Sequence, residues 1–290
     1  MDGIIIIDKP IGCTSHDVVY KVKKIFNEKV GHTGTLDPMA EGVLPILIGK
    51  GTLCSKYLVN HDKKYIATIQ LGIKTDTADS EGKVIEEKEV SEEINDIKIK
   101  EILKTFIGKQ KQTPPIYSAI KINGKKLYEY ARNNQEVEIK PRDIVIYDIK
   151  LLKYDKKYKR IIYEVYCGKG TYIRSLCEDI SNRLNTIGYM KSLKRIQVGD
   201  FKFENGITFE ELINNNENKA DLDNVIISIE ELFKNKKSIK LENKQVNLML
   251  NGVQIKNNNQ DGVYKIYNST NSFLGIGIVK NNLLKRDIII

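Results

Sequence analysis

The segment Gly31–Thr52, GHTGTLDPMAEGVLPILIGKGT, places one aspartate and one histidine among glycines and apolar residues. Pro38 disfavours the helical conformation at Asp37 and pushes it toward an extended backbone. Glycines at positions 31, 34 and 42 permit another chain or a ligand to come close. The pattern fits a turn that fixes one reactive carboxylate, and it also fits an ordinary Asp-Pro turn. The residue types alone leave both interpretations open.

Three other kinds of site fit this stretch less well. A phosphate-binding loop needs the spacing G-x-x-x-x-G-K-[ST], but six residues separate Gly42 from Gly49, and Lys50 precedes a glycine. The three histidines of the chain are scattered and show no metal-ligand spacing. Spacing does not exclude a Ser–His–Asp triad, although no G-x-S-x-G turn presents a serine. We therefore expect no metal site.

The composition is that of a basic globular chain. Its 290 residues are 41% hydrophobic, and 47 basic against 38 acidic side chains give a formal charge of +9. This length favours about two domains, and the charge indicates a polyanionic partner. The four cysteines lie far apart without a C-x-x-C pair, as in reduced proteins, and no apolar stretch approaches the roughly 20 residues of a membrane span. We expect a cytoplasmic protein without a signal peptide and without a membrane partner.

Apolar periodicity predicts the elements that must position these residues. Gly3–Ile7 has the pattern of a buried strand, and Ser15 is the expected N-cap of a helix with apolar residues at helical spacing. Tyr65–Leu71 alternates as a half-buried strand does. Ser91 is expected to precede another helix, which stops at Gly108.

The second half of the chain continues the mixture of strands and helices. Ile144–Tyr154 and Ile161–Cys167 are predicted strands, and a glycine loop then opens a helix within Gly168–Leu184. Because strands and helices do not alternate strictly, the pattern favours an α+β fold. Asn-rich stretches at 213–224 and 255–262 are interpreted as loops. The first marks the boundary between a domain over residues 1–236 and a β-rich module over residues 237–290.

Six segments of the chain resemble the motifs of one family. Gly31–Pro45, GHTGTLDPMAEGVLP, closely resembles the catalytic motif of the TruB family of bacterial tRNA pseudouridine synthases. The last 50 or so residues resemble, more loosely, the PUA-type β module that ends many members. Five further segments resemble the other motifs of the family and occur in the same order along the chain. They are DKPIGCTSHDVV (Asp8–Val19), DKKYIATIQLGIKTDTADSEG (Asp62–Gly82), KQTPPIYSAIKINGKKLYEYAR (Lys111–Arg132), GKGTYIRSL (Gly168–Leu176) and LKRIQVGDF (Leu193–Phe201).

This resemblance implies both a fold and a reaction. The fold is the pseudouridine synthase fold, with a mixed, largely antiparallel central sheet and flanking helices, followed by a small PUA-like β-barrel module. The reaction is isomerisation of uridine 55 in the T-loop of tRNA, in which the base leaves its N1–C1′ bond, turns and reattaches through C5. No electrons are transferred and no water is consumed, so we expect no cofactor and no catalytic metal. The implied partner is the T-arm of tRNA, bound by a monomer that needs no protein partner.

The resemblance also assigns roles to single residues. Asp37 matches the catalytic aspartate, whose carboxylate must be ionised. Arg174 matches the arginine that pairs with this aspartate, and a guanidinium fork suits a carboxylate. Tyr65 matches the tyrosine that stacks on the target base and assists a proton transfer. Tyr172 and Leu193 match residues that line the uridine pocket.

His32 matches a histidine that packs into the RNA where the target nucleotide has left. Such a ring offsets part of the cost of unstacking a base, which is roughly a few kcal/mol. Judged without the resemblance, Tyr65, Tyr172 and Leu193 are typical core residues, and His32 is a typical capping or solvent-facing one.

Three basic runs support RNA binding. In the third run, Lys191, Lys194 and Arg195 are predicted phosphate contacts because they adjoin a matching motif. For the second run, phosphate contact and a solvated strand face remain equally good interpretations. The acid-rich segment Glu86–Glu101 is expected to face away from RNA. The runs are Lys121–Lys126, Lys150–Arg160 and Lys191–Arg195, with Tyr154 and Tyr158 interleaved in the second.

A rival hypothesis is a non-catalytic tRNA-binding or folding protein on the same scaffold. A binding-only descendant need not keep both Asp37 and Arg174, and both are present. A second rival is a pseudouridine synthase that acts on a different RNA.

Overall fold

A computed structural model describes residues 2–133, 135–217 and 225–290. No helix in these ranges has both the length and the apolar character that crossing a membrane requires. The helices are α1 (Ser15–Phe26), α2 (Ser55–Leu58), α3 (Asp96–Lys104), α4 (Leu127–Arg132), α5 (Ile173–Arg183), α6 (Phe209–Glu217), α7 (Ile229–Leu232) and α8 (Asn243–Leu250). The strands are β1 (Gly3–Lys9), β2 (Val30–His32), β3 (Glu41–Ile48), β4 (Lys63–Leu71), β5 (Ile73–Thr75), β6 (Val84–Glu87), β7 (Gly108–Gln112), β8 (Lys121–Ile122), β9 (Lys125–Lys126), β10 (Arg142–Asp155), β11 (Arg160–Cys167), β12 (Gly188–Val198), β13 (Phe201–Lys202), β14 (Ser238–Leu241), β15 (Ile255–Lys256), β16 (Gly262–Asn268), β17 (Phe273–Lys280) and β18 (Leu283–Ile289).

A nine-stranded mixed sheet forms the centre of the described structure. Its main order is β1-β3-β12-β4-β11-β10-β7, with β2 on β3 and β13 on β12. All of its pairings are antiparallel except that of β12 with β3. The sheet and its flanking helices therefore confirm the predicted α+β class and the mixed, largely antiparallel sheet.

The parallel pairing of β3 with β12 joins the two halves of the sheet. Lys194 lies opposite Glu41 and Arg195 opposite Gly42 in this short register. Gly42 has φ +106°, and a Cβ at this position would lie 2.2 Å from the Arg195 carbonyl oxygen. Only glycine permits so close an approach of two backbones. This junction matters for function because β3 begins four residues after Asp37.

The apolar core follows the alternation predicted from the sequence. On β4, the residues Tyr65, Ala67, Ile69 and Leu71 are buried, and each second residue between them is only partly so. This face packs with β10, β11, α3 and α5 in the largest apolar cluster. A second cluster packs α1 and α6 against one face of β1 and β3. Apolar packing therefore supports both strands of the junction, β12 in the first cluster and β3 in the second.

The C-terminal strands form a separate five-stranded sheet in the order β14-β16-β17-β18-β15. Its inner residues, among them Leu241 and Ile266, build a core of their own together with Met249 of α8. Ile276 and Ile288, however, pack with residues of β1 and β3 in a shared cluster. The hydroxyl of Tyr57, on α2, donates to Asp287 Oδ2 at 2.6 Å across this contact. The predicted β-rich segment is therefore confirmed as a second β-sheet, which packs against strands of the central sheet.

Three local predictions were wrong. The N-cap of α1 is Thr14 rather than Ser15, because Thr14 and Asp17 form a reciprocal capping box. Helix α3 is capped by Asn95, whose side chain accepts from two backbone N–H groups, so the helix begins well after Ser91 and ends before Gly108. The stretch predicted as a loop at 213–224 is helical as far as Glu217. Residues 218–224 lie outside the described ranges.

Candidate active site

Asp37 lies in the turn between β2 and β3, and the turn is tied to the loop after β1. Gly12 N–H donates to the Pro38 carbonyl at 2.9 Å, and Ala40 N–H donates to the Asp37 carbonyl at 3.0 Å. Lys9 is fully buried, and its ammonium donates to the carbonyls of Pro10 and Cys13 as well as, at 3.4 Å, to that of Pro38. These hydrogen bonds join the turn to the loop after β1, so they fix the backbone of the turn.

Ser15 clamps the residue before the aspartate. Its hydroxyl accepts from the Leu36 N–H at 2.9 Å and donates to the Leu36 carbonyl at 3.1 Å. Both residues are buried. The first turn of α1 thereby fixes the backbone on the N-terminal side of Asp37.

Arg174, near the start of α5, reaches the Asp37 carboxylate with two nitrogens. Its Nε lies 3.2 Å from Oδ2, and its Nη2 lies 3.5 Å from Oδ1. The guanidinium also donates to the Tyr117 carbonyl at 2.9 Å and to the Thr77 carbonyl at 3.3 Å. The arginine side chain is 8% exposed, whereas that of Asp37 is 34% exposed. The buried arginine therefore holds the carboxylate, which itself remains accessible from the cavity side.

A second carboxylate, Asp79, faces the same guanidinium. Its Oδ2 lies 3.5 Å from Arg174 Nη1, and its side chain is 5% exposed. The other oxygen accepts from the Thr77 hydroxyl at 2.6 Å and from the Glu81 N–H at 3.0 Å. Sequence reasoning missed this residue, although it lies in the matching segment TDTADSEG. A sequence pattern could have indicated it: Asp79 follows Thr77 by two residues, and an aspartate in such a position often forms hydrogen bonds within its own turn.

Burial and charge act in opposite directions on Asp37. Burial raises the pKa of its carboxyl above the ordinary value, the nearby Arg174 lowers it, and the neighbouring Asp79 raises it again. The pKa of Glu81 is raised by burial and by the charges of Asp79 and Asp37. One guanidinium thus serves two carboxylates in a partly dehydrated site, which is an arrangement typical of functional carboxylates.

Tyr65, on β4, is buried beside the cavity that Asp37 faces, and Arg195 lies against its hydroxyl. Burial raises the pKa of Tyr65 to about 12, although Arg195 lowers it somewhat. The phenol is therefore protonated and neutral at pH 7 in the free protein.

The structure does not support the phosphate contact predicted for Arg195. The side chain is fully buried, its Nε donates to the Val43 carbonyl at 2.7 Å, and its Nη2 donates to the Gly34 carbonyl at 2.9 Å. A phosphate cannot reach a guanidinium enclosed in this way. Arg195 instead supports the turn that carries Asp37, because its partners Gly34 and Val43 lie on either side of the aspartate.

Lys194 and Lys191 remain predicted phosphate contacts. Lys194 points away from the cavity, since its neighbours Leu193 and Arg195 line the cavity and residues alternate along a strand. Its ammonium lies 3.9 Å from Glu41 Oε1 and 3.8 Å from the centre of the Phe203 ring. Lys191 is half-buried on the same strand. Any RNA contact of Lys194 would therefore involve the opposite face of the sheet.

A cavity of about 520 Å³ opens in front of Asp37. This volume falls in the ordinary range for small-ligand sites. Of the predicted pocket residues, Tyr65, Tyr172 and Leu193 line it. The other lining residues belong to Gly34–Asp37, to Tyr117–Ala119 with Tyr128, and to Lys169–Arg174, together with Val59, Lys63, Met190 and Arg195.

His32 lies on β2, three positions before the rim residue Thr35, and is not among the described residues that line the cavity. Its side chain is half-buried, and its Nδ1 has no hydrogen-bond partner in the described structure. Burial, with smaller contributions from Arg195 and His16, lowers its pKa. The imidazole is therefore neutral at pH 7. The role of packing into RNA remains a prediction.

The other basic runs differ in position. Lys121–Lys126 forms the β8-β9 hairpin, directly before Tyr128 of the cavity wall. Lys150–Arg160 forms the tip of the β10-β11 hairpin, where Arg160 pairs with Gln70, five residues or roughly 17 Å along β4 from Tyr65. In this run Lys150 pairs with Glu164 at 3.0 Å, and Lys156 pairs with Glu92 of the acid-rich segment at 2.8 Å. These ion pairs favour the solvated strand face for this second run.

Within the described ranges, no group of three His, Cys, Asp or Glu side chains could hold a metal ion. The four cysteines all lie in those ranges and are free thiols.

Three family models match the chain in succession. Residues 23–173 match the N-terminal domain of the TruB family pseudouridylate synthases, residues 174–234 the C-terminal domain of tRNA pseudouridylate synthase B, and residues 238–285 the C-terminal domain of pseudouridine synthase II TruB. A tRNA pseudouridine synthase B from Caldanaerobacter subterraneus subsp. tengcongensis is 42% identical, with 98% of each chain covered. One from Clostridium kluyveri is 45% identical, with 97% of this chain and 96% of the other covered.

Solved structures share the fold over nearly the whole chain. The crystal structure of a Cbf5-Nop10-Gar1 complex matches with a TM-score of 0.70 and 25% identity, covering 99% of this chain and 83% of the other. A structure of an H/ACA RNP bound to a substrate RNA containing 2'-deoxyuridine matches with a TM-score of 0.72 and 23% identity, covering 99% of this chain and 85% of the other.

Proposed function

Because the chain belongs to the TruB family of pseudouridylate synthases, we propose that it isomerises uridine 55 in the T-loop of tRNA to pseudouridine. The observation that carries this proposal is the Asp37 carboxylate, held by two nitrogens of Arg174 and exposed to a cavity of about 520 Å³. A cavity of this size accommodates one nucleoside, so the target must leave the base stack to reach the aspartate. The relatives named tRNA pseudouridine synthase B support tRNA as the substrate.

The isomerisation exchanges one bond to C1′ for another. The N1–C1′ bond of uridine breaks, a C5–C1′ bond forms, C5 loses a proton and N1 gains one, so no oxidant, reductant or water is consumed. An ionised Asp37 can act on the ribose or on the base, and Arg174 keeps it ionised and aimed by forming a charge-assisted pair. Tyr65 offers a flat ring beside the cavity, with a protonated hydroxyl that is available for a proton transfer.

The further site roles follow from position. Tyr172 and Leu193 are the proposed uridine contacts, because both line the cavity. His32 is the proposed packing group outside it. We also propose two domains, residues 1–236 and 237–290, since the second sheet starts at Ser238. The enzyme is proposed to act as a monomer without a protein partner or cofactor, in the cytoplasm, where its tRNA substrate is made and used.

One assay tests the proposed function directly. Purified protein is incubated with an unmodified tRNA transcript in EDTA, without any added factor, and pseudouridine is mapped at nucleotide resolution. We expect one new pseudouridine, at position 55, and none in a transcript with cytidine at that position. Failure to form pseudouridine would support the rival function, tRNA binding without chemistry, provided that the protein still binds the transcript. Pseudouridine at another position would replace the proposed target.

A further inference from the structure

Two cations lie side by side in the wall of the cavity, next to Gly34 at the start of the turn that carries Asp37. Lys63 Cε and Arg195 Nη1 are each 3.4 Å from the position that a Cβ on Gly34 would occupy. The two side chains are therefore within twice that distance of each other. Gly34 has φ +78°, and the missing side chain leaves the space into which the two cations reach. Lys63 lines the cavity together with Asp37.

Neither cation forms an ion pair with a carboxylate within the described residues. Within the described residues, Arg195 donates to backbone carbonyls and to Tyr65 and is paired with no carboxylate. Lys63 uses one of its three N–H donors, on the His61 carbonyl at 2.5 Å. The acid next to it in sequence, Asp62, accepts instead from the Tyr147 hydroxyl at 3.2 Å. Burial and the charge of Arg195 both lower the pKa of Lys63. Two like charges in a partly dehydrated place repel each other, and a bound anion would offset this repulsion.

A third cation lines the same cavity. Lys169, in the glycine loop before α5, lines the cavity, and its ammonium donates to Asn60 Oδ1 at 2.8 Å. The rim thus draws on two segments, Val59–Lys63 and Lys169–Thr171, that approach each other next to the β4–β11 pairing of Lys63 with Cys167. Lys63 and Arg195 lie beside Gly34, three residues before Asp37.

The chemistry of the substrate identifies the anion. If the ribose of an everted uridine lies at Asp37, its phosphates must leave the cavity through the mouth beside that residue. A phosphate site at this place rests on the proposed function and adds a substrate contact to it. We propose that Lys63, backed by the charge of Arg195 and bordered by Lys169, binds the phosphodiester that flanks the everted nucleotide. The contact holds the backbone in its everted course while the base turns.

A double-substitution experiment tests this subsite. Synthetic T-arm RNAs carry one uncharged methylphosphonate at either phosphate flanking the target uridine, and kcat/KM is measured for the wild type and for Lys63→Gln. We expect one of the two methylphosphonates to lower wild-type kcat/KM about 10-fold or more, the loss typical of one charged hydrogen bond. Lys63→Gln should show a similar loss on unmodified RNA and less than about 2-fold further loss on that methylphosphonate RNA, because the same contact is removed twice.

Controls separate the possible failures. Lys100→Gln changes an exposed lysine of α3, in the acid-rich segment, and should behave as the wild type. Lys63→Arg should retain most of the sensitivity to the methylphosphonate. The proposal would be overturned if the loss from Lys63→Gln and the loss from the methylphosphonate multiplied when both changes were combined. It would also be overturned if neither methylphosphonate lowered kcat/KM of the wild type. The second result does not depend on the folding of any variant. A wild type that makes no pseudouridine in unmodified RNA would instead overturn the proposed function.

Discussion

Arg174 faces Asp37 with its Nε 3.2 Å from one carboxylate oxygen and its Nη2 3.5 Å from the other. The two residues are 137 positions apart in the chain, and each is fixed by its own set of backbone bonds. The turn holds the aspartate through Leu36 and Pro38, and the carbonyls of Tyr117 and Thr77 hold the guanidinium. The pair is therefore assembled before a substrate arrives, which lowers the cost of reorganisation during the reaction.

Asp37→Asn should abolish pseudouridine formation. The amide is nearly the same size as the carboxylate but carries no charge, so it can act neither as a nucleophile nor as a base. Because the RNA surface is unchanged, tRNA affinity should stay within several-fold of the wild type. Single-turnover assays and a filter-binding titration measure the two quantities. A fully active variant would remove the aspartate from the mechanism.

Arg174→Lys should lower the rate by roughly 10²-fold or more. An ammonium is a point charge and cannot bond both oxygens of Asp37 while it also reaches the carbonyls of Tyr117 and Thr77. The thermal midpoint of the variant should be measured alongside, since Arg174 is nearly buried. Turnover close to that of the wild type in a folded variant would show that the paired geometry is not needed.

Asp79→Asn should lower kcat by about 10- to 100-fold with little change in RNA affinity. Asp79 does not line the cavity, and its predicted effect comes from holding one side of Arg174. Asp76→Asn is the matched control, because Asp76 is exposed in the same turn and its carboxylate, within the described ranges, accepts only from the Lys83 N–H. Equal rates for the two variants would contradict a positioning role for Asp79.

The fold could be predicted from the sequence where one periodicity dominated. The alternation of Tyr65–Leu71 led directly to the buried face of β4, because strand side chains have a period of two. Caps were less certain, since Thr14 and Ser15 are both good N-cap residues and only the partner decides between them. Ser15 failed as a cap because Leu36, 21 residues away, takes its hydroxyl.

The site was predictable only in part. Resemblance to a family named Asp37, Arg174 and Tyr65, whereas spacing alone left the aspartate as a turn residue. Arg195 was misjudged because a basic run was interpreted as one surface, while strand alternation puts Lys194 and Arg195 on opposite faces of β12. The cation pair of Lys63 with Arg195 depends on strand pairing across the sheet, and no local pattern contains that information.

The pH dependence of the rate should reflect the ionisation of Asp37. Burial raises the pKa of this carboxyl, and the reaction needs the charged form, so activity should be lost as the pH falls through a value above the ordinary 3.8. Arg174 lowers this pKa and Asp79 raises it. In kcat/KM profiles from pH 4 to 8, the acid limb should therefore move to higher pH in Arg174→Gln and to lower pH in Asp79→Asn. Shifts in the same direction for both variants would contradict the assignment of the limb to Asp37.

Ser15→Ala tests whether the clamp on Leu36 matters for the rate as well as for stability. The substitution leaves the N–H and the carbonyl of Leu36 buried without their partner, which should cost about 2 kcal/mol or more of unfolding free energy. Because Leu36 adjoins Asp37, a looser backbone there should also reduce kcat more than it changes KM. Ser55→Ala, at an exposed position that opens α2, is the matched control for losing a hydroxyl. Urea denaturation and steady-state kinetics measure both effects at a temperature where each variant is folded. Lower stability with an unchanged kcat would restrict Ser15 to the fold, and wild-type values for both quantities would show that the two hydrogen bonds do not hold the turn that carries Asp37.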